Sequence, residues 1–405
     1  MSNRLLDDTD LCVKCGLCLP HCPTYGVTAE EGDSPRGRIS LMRGLMDGTL
    51  QVSESLEEHL DGCLSCRACE SVCPAEVPYG RMIDAARGEM ATRKPERTRM
   101  DKAMASVLTN MGRLQIASWF VWLGQRLGLV QLTRWLFGNK GLGRLASLLP
   151  PLQRPRGWVG HYPAVGERRG RVALFLGCVS RMVDGRTLGD AIKLLTHLGY
   201  EVDVPRGQTC CGALASHNGL MDRAQTLINR NLEAFAGDYD AILGTASGCT
   251  CTLAEYDHLS DSPAATQFAG KVQNVDSFLS RAEWSEAAFR DDAPEDVQVH
   301  TPCTLRNVLQ DSDAAIRLLQ RVPGITVSAL AENNRCCGAA GSYFVTQPEM
   351  ADTLVSKKVA GVSESSHCVA TSNVGCAMHI GGALRRDGRD QPVINAVSVA
   401  ASRLK

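Results

Sequence analysis

Two short runs of cysteine decide most of what this chain can become. The first is Cys12-x2-Cys15-x2-Cys18-x3-Cys22-Pro23, and the second is Cys63-x2-Cys66-x2-Cys69-x3-Cys73-Pro74. Three thiolates from one tight loop can each reach a corner iron of a cubane. The fourth cysteine cannot reach the same cubane, so it ligates the other cluster. The spacing therefore predicts two [4Fe–4S] clusters. Cys12, Cys15, Cys18 and Cys73 would hold one, and Cys63, Cys66, Cys69 and Cys22 the other. The proline after each fourth cysteine breaks the local backbone pattern and lets the chain leave the loop. Zinc favours two separated pairs of ligands, which neither run resembles.

Eighteen cysteines in 405 residues are too many for chance and too spread out for a small disulfide-stapled scaffold. Met1 to Asp10 has no basic segment leading into an apolar run, so no signal peptide is expected. A reducing, cytoplasmic address follows, where thiols bind metal rather than pair. No run of 18 or more apolar residues predicts a spanning helix. A formal net charge of −1 gives no reason to expect nucleic-acid binding.

Three regions follow. Residues 1–95 hold both cysteine runs. The 40 residues between Cys22 and Cys63 exceed what a compact sheet-based ferredoxin needs, and Ile39–Met46 and Leu56–Leu60 are helical in pattern. An α-helical two-cluster domain is expected. Residues 96–168 form a basic, tryptophan-rich helical linker. From Lys102 to Gly166 there is no acidic residue but eight basic ones, and Trp119, Trp122, Trp135 and Trp158 all fall here. A helix over Leu114–Phe137 with arginines opposite its apolar side would lie in a membrane interface, or pack on a partner or on its own domain. Gly141-Leu-Gly-Arg-Leu-Ala146 matches a dinucleotide fingerprint loosely, but no strand precedes it, so neither a flavin nor a nicotinamide site is expected.

Residues 169–405 are an internal repeat, divided at about residue 290. Cys178, Cys210, Cys211 and Cys249 recur as Cys303, Cys336, Cys337 and Cys376, at offsets of 125 to 127 residues. Apolar runs at 171–177, 200–204 and 241–245 alternate with helical patterns at 184–198 and 218–235. The second half repeats this at 297–300, 314–321, 325–328, 348–359 and 368–371. Alternation of this kind predicts βαβ units and a parallel sheet in each half. The cysteines then fall at the carboxyl ends of strands, where such sheets form their ligand crevice. Two readings stay open: a further iron–sulfur cluster in each repeat, or a thiol pair or docking surface. Cys251 and Cys368 have no counterpart in the other repeat and read as ordinary buried thiols. His379 reads as a structural histidine.

Further segments carry a resemblance. Pro35-Arg-Gly-Arg-Ile39, His59 to Cys69, Thr245-Ala-Ser-Gly-Cys249, Pro302-Cys-Thr-Leu305, Cys336-Cys-Gly-Ala-Ala-Gly-Ser-Tyr343 and Asn373-Val-Gly-Cys376 resemble the iron–sulfur subunit family of bacterial glycolate oxidase (glycolate dehydrogenase). That family joins two ferredoxin motifs to two cysteine-rich CCG domains. The resemblance implies a multi-subunit flavoenzyme. A separate FAD subunit oxidises glycolate to glyoxylate, with D-lactate a further substrate, and this chain passes electrons towards quinone. Anaerobic glycerol-3-phosphate or lactate dehydrogenases and heterodisulfide reductases share the architecture, and a cluster-bearing sensor or docking protein is the rival of another class. Thr252 and His379 stand where heterodisulfide reductases carry the last cysteine of each motif, which argues for plain electron relay.

Overall fold

The computed structural model describes residues 2–98, 111–138 and 141–405. The amino-terminal part is built from helices. Ser34 Oγ accepts from Gly37 N and Pro35 occupies the first turn of the helix Pro35–Met46, a combination that starts helices. Ser53 caps Glu54–Asp61 in the same way through Leu56 N. Ile39, Met42 and Leu45 recur at helical spacing. They pack with Leu56 and Leu60 against Met82, Ile83, Ala86 and Met90 of the helix Tyr79–Arg93. Each such buried side chain contributes about 1.5–3 kcal/mol.

Two sheets follow. In chain order their strands are β1 (Gly160–Tyr162), β2 (Gly170–Phe175), β3 (Tyr200–Val204), β4 (Ala241–Gly244), β5 (Val272–Asn274), β6 (Glu295–His300), β7 (Ile325–Ala329), β8 (Cys368–Thr371) and β9 (Val393–Ile394). The first sheet has the order β1-β3-β2-β4-β5 and the second β7-β6-β8-β9. Apart from β1, every neighbour is parallel, and β3-β2-β4-β5 matches β7-β6-β8-β9 strand for strand. Strands β2, β4 and β8 are buried on both faces, which explains their continuous apolar runs.

The repeats share one core. The helix Gly185–His197 of the first packs on Ala396–Ser402 of the second, and Val275–Arg281 of the first on Ala314–Gln320 of the second. This reciprocal exchange of first and last helices is the pattern of two related units facing each other.

Some details depart from the sequence reading. The stretch read as a helical linker also supplies β1, which pairs antiparallel with β3; three exposed or half-buried residues carry no periodic signal. The helix expected over 218–235 is Met221–Ala234, and a short helix not read from the sequence, Ala213–His217, precedes it. The helix expected over Leu114–Phe137 is two, Met111–Arg126 and Leu129–Phe137. Of its arginines, Arg113 and Arg126 are exposed as expected, but Arg134 turns inward and donates to Ala146 O at 2.7 Å and Leu149 O at 3.2 Å, capping carbonyls at the end of the helix Gly141–Leu148. Leu129, Leu132, Trp135, Leu136 and Phe137 are left exposed. That last helix contains the glycine-rich match, and it follows a helix rather than a strand. Among the described residues no helix is long and apolar enough to cross a membrane.

Candidate metal centres

The two ferredoxin loops share an unusual backbone. Two residues after the first cysteine, Lys14 and Ser65 adopt positive φ (56° and 48°); four residues after it, Gly16 and Arg67 do the same (85° and 56°). Left-handed conformations are costly for residues other than glycine. Their recurrence at the same two places marks loops curled around something.

The loops border two cavities. Cys12, Cys15, Cys18 and Cys73 line one, together with Cys69. Cys22, Cys63, Cys66 and Cys69 line the other. Each cavity therefore receives the fourth cysteine of the opposite run. The first lies near the surface, with Cys15 exposed and Val13 and Leu17 on its rim exposed too. The second is deeper. The Arg38 side chain, 1% exposed, donates to His59 O at 2.7 Å, Thr24 Oγ1 at 2.9 Å and Asp33 Oδ1 at 3.2 Å. Burial alone would lower its pKa, but Cys63, Tyr79 and Cys22 raise it overall. It is a fixed positive charge beside the second cavity. Tyr79 Oη and Ser65 N also donate to Cys63 Sγ, at 3.6 and 3.4 Å.

In the repeats, strand ends gather the cysteines as the βαβ pattern predicts. Cys178 opens a helix three residues past the end of β2, Cys210 and Cys211 follow β3, and Cys249 lies in the helix Ser247–Ala254 after β4. Cys178 Sγ lies 3.6 Å from Cys210 Sγ. In the second repeat Cys303 Sγ is 3.9 Å from Cys336 Sγ, and Cys337 Sγ is 3.2 Å from Cys376 Sγ. The glycine after each cysteine pair has positive φ, 97° at Gly212 and 83° at Gly338. At Gly338 a Cβ would also meet Ala351 O at 2.9 Å, so the turn requires glycine.

All eighteen cysteines are free thiols, and their electrostatics favours a metal. Cys303 is held well above the usual thiol range, first by its hydrogen bond with Cys336 and then by burial. Burial does the same to Cys66, and Cys303 beside it adds to the effect. Cys210 is driven the other way by hydrogen bonds from Cys178 and Cys211. Crowded, buried thiols of this kind cannot all ionise on their own. A cation among them removes the conflict, because coordinating thiols deprotonate outright. The donor sets therefore fit iron–sulfur clusters, with Cys12, Cys15, Cys18, Cys73 and Cys63, Cys66, Cys69, Cys22 around the two ferredoxin cavities.

The second repeat holds more than the sequence reading found. His300, at the end of β6, is 1% exposed, and its ring lies beside Cys337 and Cys376. Burial, helped by Lys358 and Arg306, pushes its pKa well below the usual histidine range and keeps the ring neutral. Lys358 is 1% exposed and donates to Glu332 O. Burial lowers its pKa, while the nearby sulfurs of Cys337 and Cys336 act to raise it. His300 could have been found by setting the repeats side by side: His300 and Phe175 each stand three residues before the first cysteine. His379 is fully buried with Nδ1 2.9 Å from Cys337 O, a structural role. Cys368 lies in the shared core, its thiol pushed up to about 12 by burial. Cys251 is buried, 3.8 Å from Glu255 Oε2.

The ferredoxin part and the repeats meet at the second cavity. Cys66 and Cys303 lie in one packed cluster with Leu64, Cys336 and Tyr343. Asn307 Nδ2 donates to Cys66 O at 2.7 Å, and Tyr343 Oη to Gly62 O at 3.0 Å. Arg67, from the same loop, bridges Glu70 and Glu255.

The family model of a 4Fe-4S dicluster domain matches residues 8–77, and that of a cysteine-rich domain matches 172–254 and 297–381. A probable glycolate oxidase iron–sulfur subunit of Bacillus subtilis is 32% identical, over 95% of this chain and 91% of that protein. The glycolate oxidase iron–sulfur subunit of Escherichia coli is 29% identical, over 93% and 91%. Lactate utilization protein A of Oceanobacillus iheyensis is 30% identical over 56% of this chain and 96% of its own length. Two ferredoxin cavities, two sulfur-lined repeats and this extent of likeness agree: the chain belongs to the glycolate oxidase iron–sulfur subunit family.

Proposed function

We propose that this chain is the electron-transfer subunit of a flavin-dependent 2-hydroxy-acid dehydrogenase. It would serve an FAD-containing partner that oxidises glycolate to glyoxylate, and D-lactate as well, and would deliver electrons towards quinone. The supporting observation is the succession of sulfur-lined sites. An exposed one (Cys12, Cys15, Cys18, Cys73) shares Cys69 with a deeper one, whose Cys66 packs against Cys303. The names of the relatives support the substrate class.

Bound there, the clusters supply one-electron transfer, which a flavin partner couples to the two-electron oxidation of a hydroxy acid. The chain's own residues fix the sites in order, exclude water from the deeper one and place Arg38 beside it. Cys303, Cys336, Cys337 and Cys376 hold a further cluster, and Cys178, Cys210, Cys211 and Cys249 another. Iron analysis after anaerobic purification tests the number. Two cubanes give about eight iron atoms per chain and a cluster in each repeat as well gives about sixteen. Co-purification from the native host with a flavoprotein that reduces this chain on adding glycolate tests the function. A chain that accepts electrons but passes none on is a sensor, and the proposal fails.

The exposed apolar residues of Met111–Arg126 and Leu129–Phe137 favour a second element, peripheral attachment at the cytoplasmic face of the inner membrane. Trp119, Phe120, Leu123, Trp135 and Phe137 are all exposed, in a region with no acidic residue to repel anionic lipid. Such a face suits an interfacial helix. The chain should float with anionic liposomes, and Trp135→Glu should abolish flotation. An unmodified chain that stays at the bottom of the gradient overturns this element.

A further inference from the structure

Three residues before its first cysteine, each repeat ends its opening strand on a different kind of side chain. In the first repeat this is Phe175, 2% exposed and packed against Phe235. In the second it is His300, 1% exposed, whose ring nitrogens make no well-formed hydrogen bond and have only the Asn333 side chain near enough to help. The Asn333 side chain nearby is committed to Thr301, its Oδ1 accepting the backbone N–H and its Nδ2 donating to the hydroxyl. An imidazole buried without a well-formed hydrogen bond forfeits those it makes in water, so such groups call for an explanation. The surroundings supply one. A ring nitrogen of His300 and the sulfurs of Cys337 and Cys376 all lie within 4.8 Å of one another, a span that one metal ion bridges.

We propose that His300 is a nitrogen ligand of the metal centre in the second repeat, beside Cys337 and Cys376, whereas the centre of the first repeat is bound by sulfur alone. This rests on the reading that the cysteines of the second repeat hold iron. Imidazole suits iron as well as thiolate does, and it is neutral. A neutral nitrogen ligand adds no negative charge to the centre, which leaves the reduced, more negative state easier to reach than a further thiolate would, and histidine ligation raises iron–sulfur potentials. The buried Lys358 nearby acts in the same direction. The second repeat therefore carries the higher potential of the two, on the side where Cys303 meets Cys66 of the ferredoxin part.

The test uses the full chain, purified anaerobically with natural-abundance or 15N-labelled histidine, and examined by hyperfine electron paramagnetic resonance during a redox titration. One centre should show the strong coupling of a directly bound nitrogen, altered by the label. His300→Phe, which installs the residue of the first repeat, should remove that coupling and shift the midpoint of the same centre downwards. Cys337→Ser should remove the centre and its iron. If Cys337→Ser does so while the label leaves the unmodified protein's spectra unchanged, the second repeat holds iron and His300 is not its ligand. If Cys337→Ser changes neither iron content nor any spectrum, the underlying cluster reading fails as well. Labelling the unmodified chain keeps the proposal falsifiable even where His300→Phe does not fold, because the absence of any bound-histidine coupling overturns it.

Discussion

The two repeats have the same strand order and the same cysteine–cysteine–glycine turn, yet their sulfur sites have different surroundings. In the first, Asn231 and Tyr256 serve the backbone. Asn231 Nδ2 donates to Cys210 O at 3.0 Å, and Tyr256 Oη to Cys211 O at 2.8 Å. In the second, His379 approaches the equivalent carbonyl, Cys337 O, while a buried histidine, His300, and a buried lysine, Lys358, stand beside the sulfurs. Duplication kept what the scaffold requires, a satisfied carbonyl beside adjacent ligands, and left the chemistry around the sulfur free to diverge. The repeats also grip the ferredoxin part differently. The first presses Gly219 against Arg87 and Gly88 and reaches the cluster loop through the Glu255–Arg67 ion pair; the second holds that loop by its backbone carbonyls, through Asn307 and Tyr343.

The sharpest way to break this comparison is to remove one cysteine from each repeat. Cys337→Ser should lower electron flow from a flavin partner to an acceptor more than tenfold, while Cys211→Ser leaves most of it, because only the second site adjoins Cys66. Equal losses in a steady-state assay would mean that the repeats are equivalent in the relay. Next, Lys358→Met should make the centre of the second repeat harder to reduce. Loss of a buried positive charge is worth on the order of 1–2 kcal/mol per electron, and potentiometric titration would show an unchanged midpoint if the lysine is only packing. Gly219→Ala should cost about 2 kcal/mol of stability. Its φ is 74° and a Cβ would sit 2.6 Å from Arg87 O. A denaturation midpoint equal to that of the unmodified chain would show that this contact yields. Tyr343→Phe removes only the hydrogen bond to Gly62 O and should cost about 1 kcal/mol in the same measurement.

Much of this was legible in the sequence. The cysteine spacing named the two cavities, and the offset of 125 to 127 residues marked the duplicated parallel sheets, because strands buried on both faces show as unbroken apolar runs. The short strands β1, β5 and β9 were not legible, since two or three residues establish no period. The inward turn of Arg134 was also hidden. A helical pattern shows which residues share a side, not which side a neighbouring helix covers. His300 and Lys358 escaped because a lone histidine at a strand end and a lysine within an ordinary helix look like surface residues until the fold buries them.

The stretch from Gly62 to Cys66 does two jobs at once. It borders the deeper ferredoxin cavity, and its carbonyls at Gly62 and Cys66 are the handholds for Tyr343 and Asn307. The two jobs are thereby tied together: a substitution that reshapes this loop changes the wall of the cavity and, in the same stroke, loosens the hold of the carboxy-terminal half.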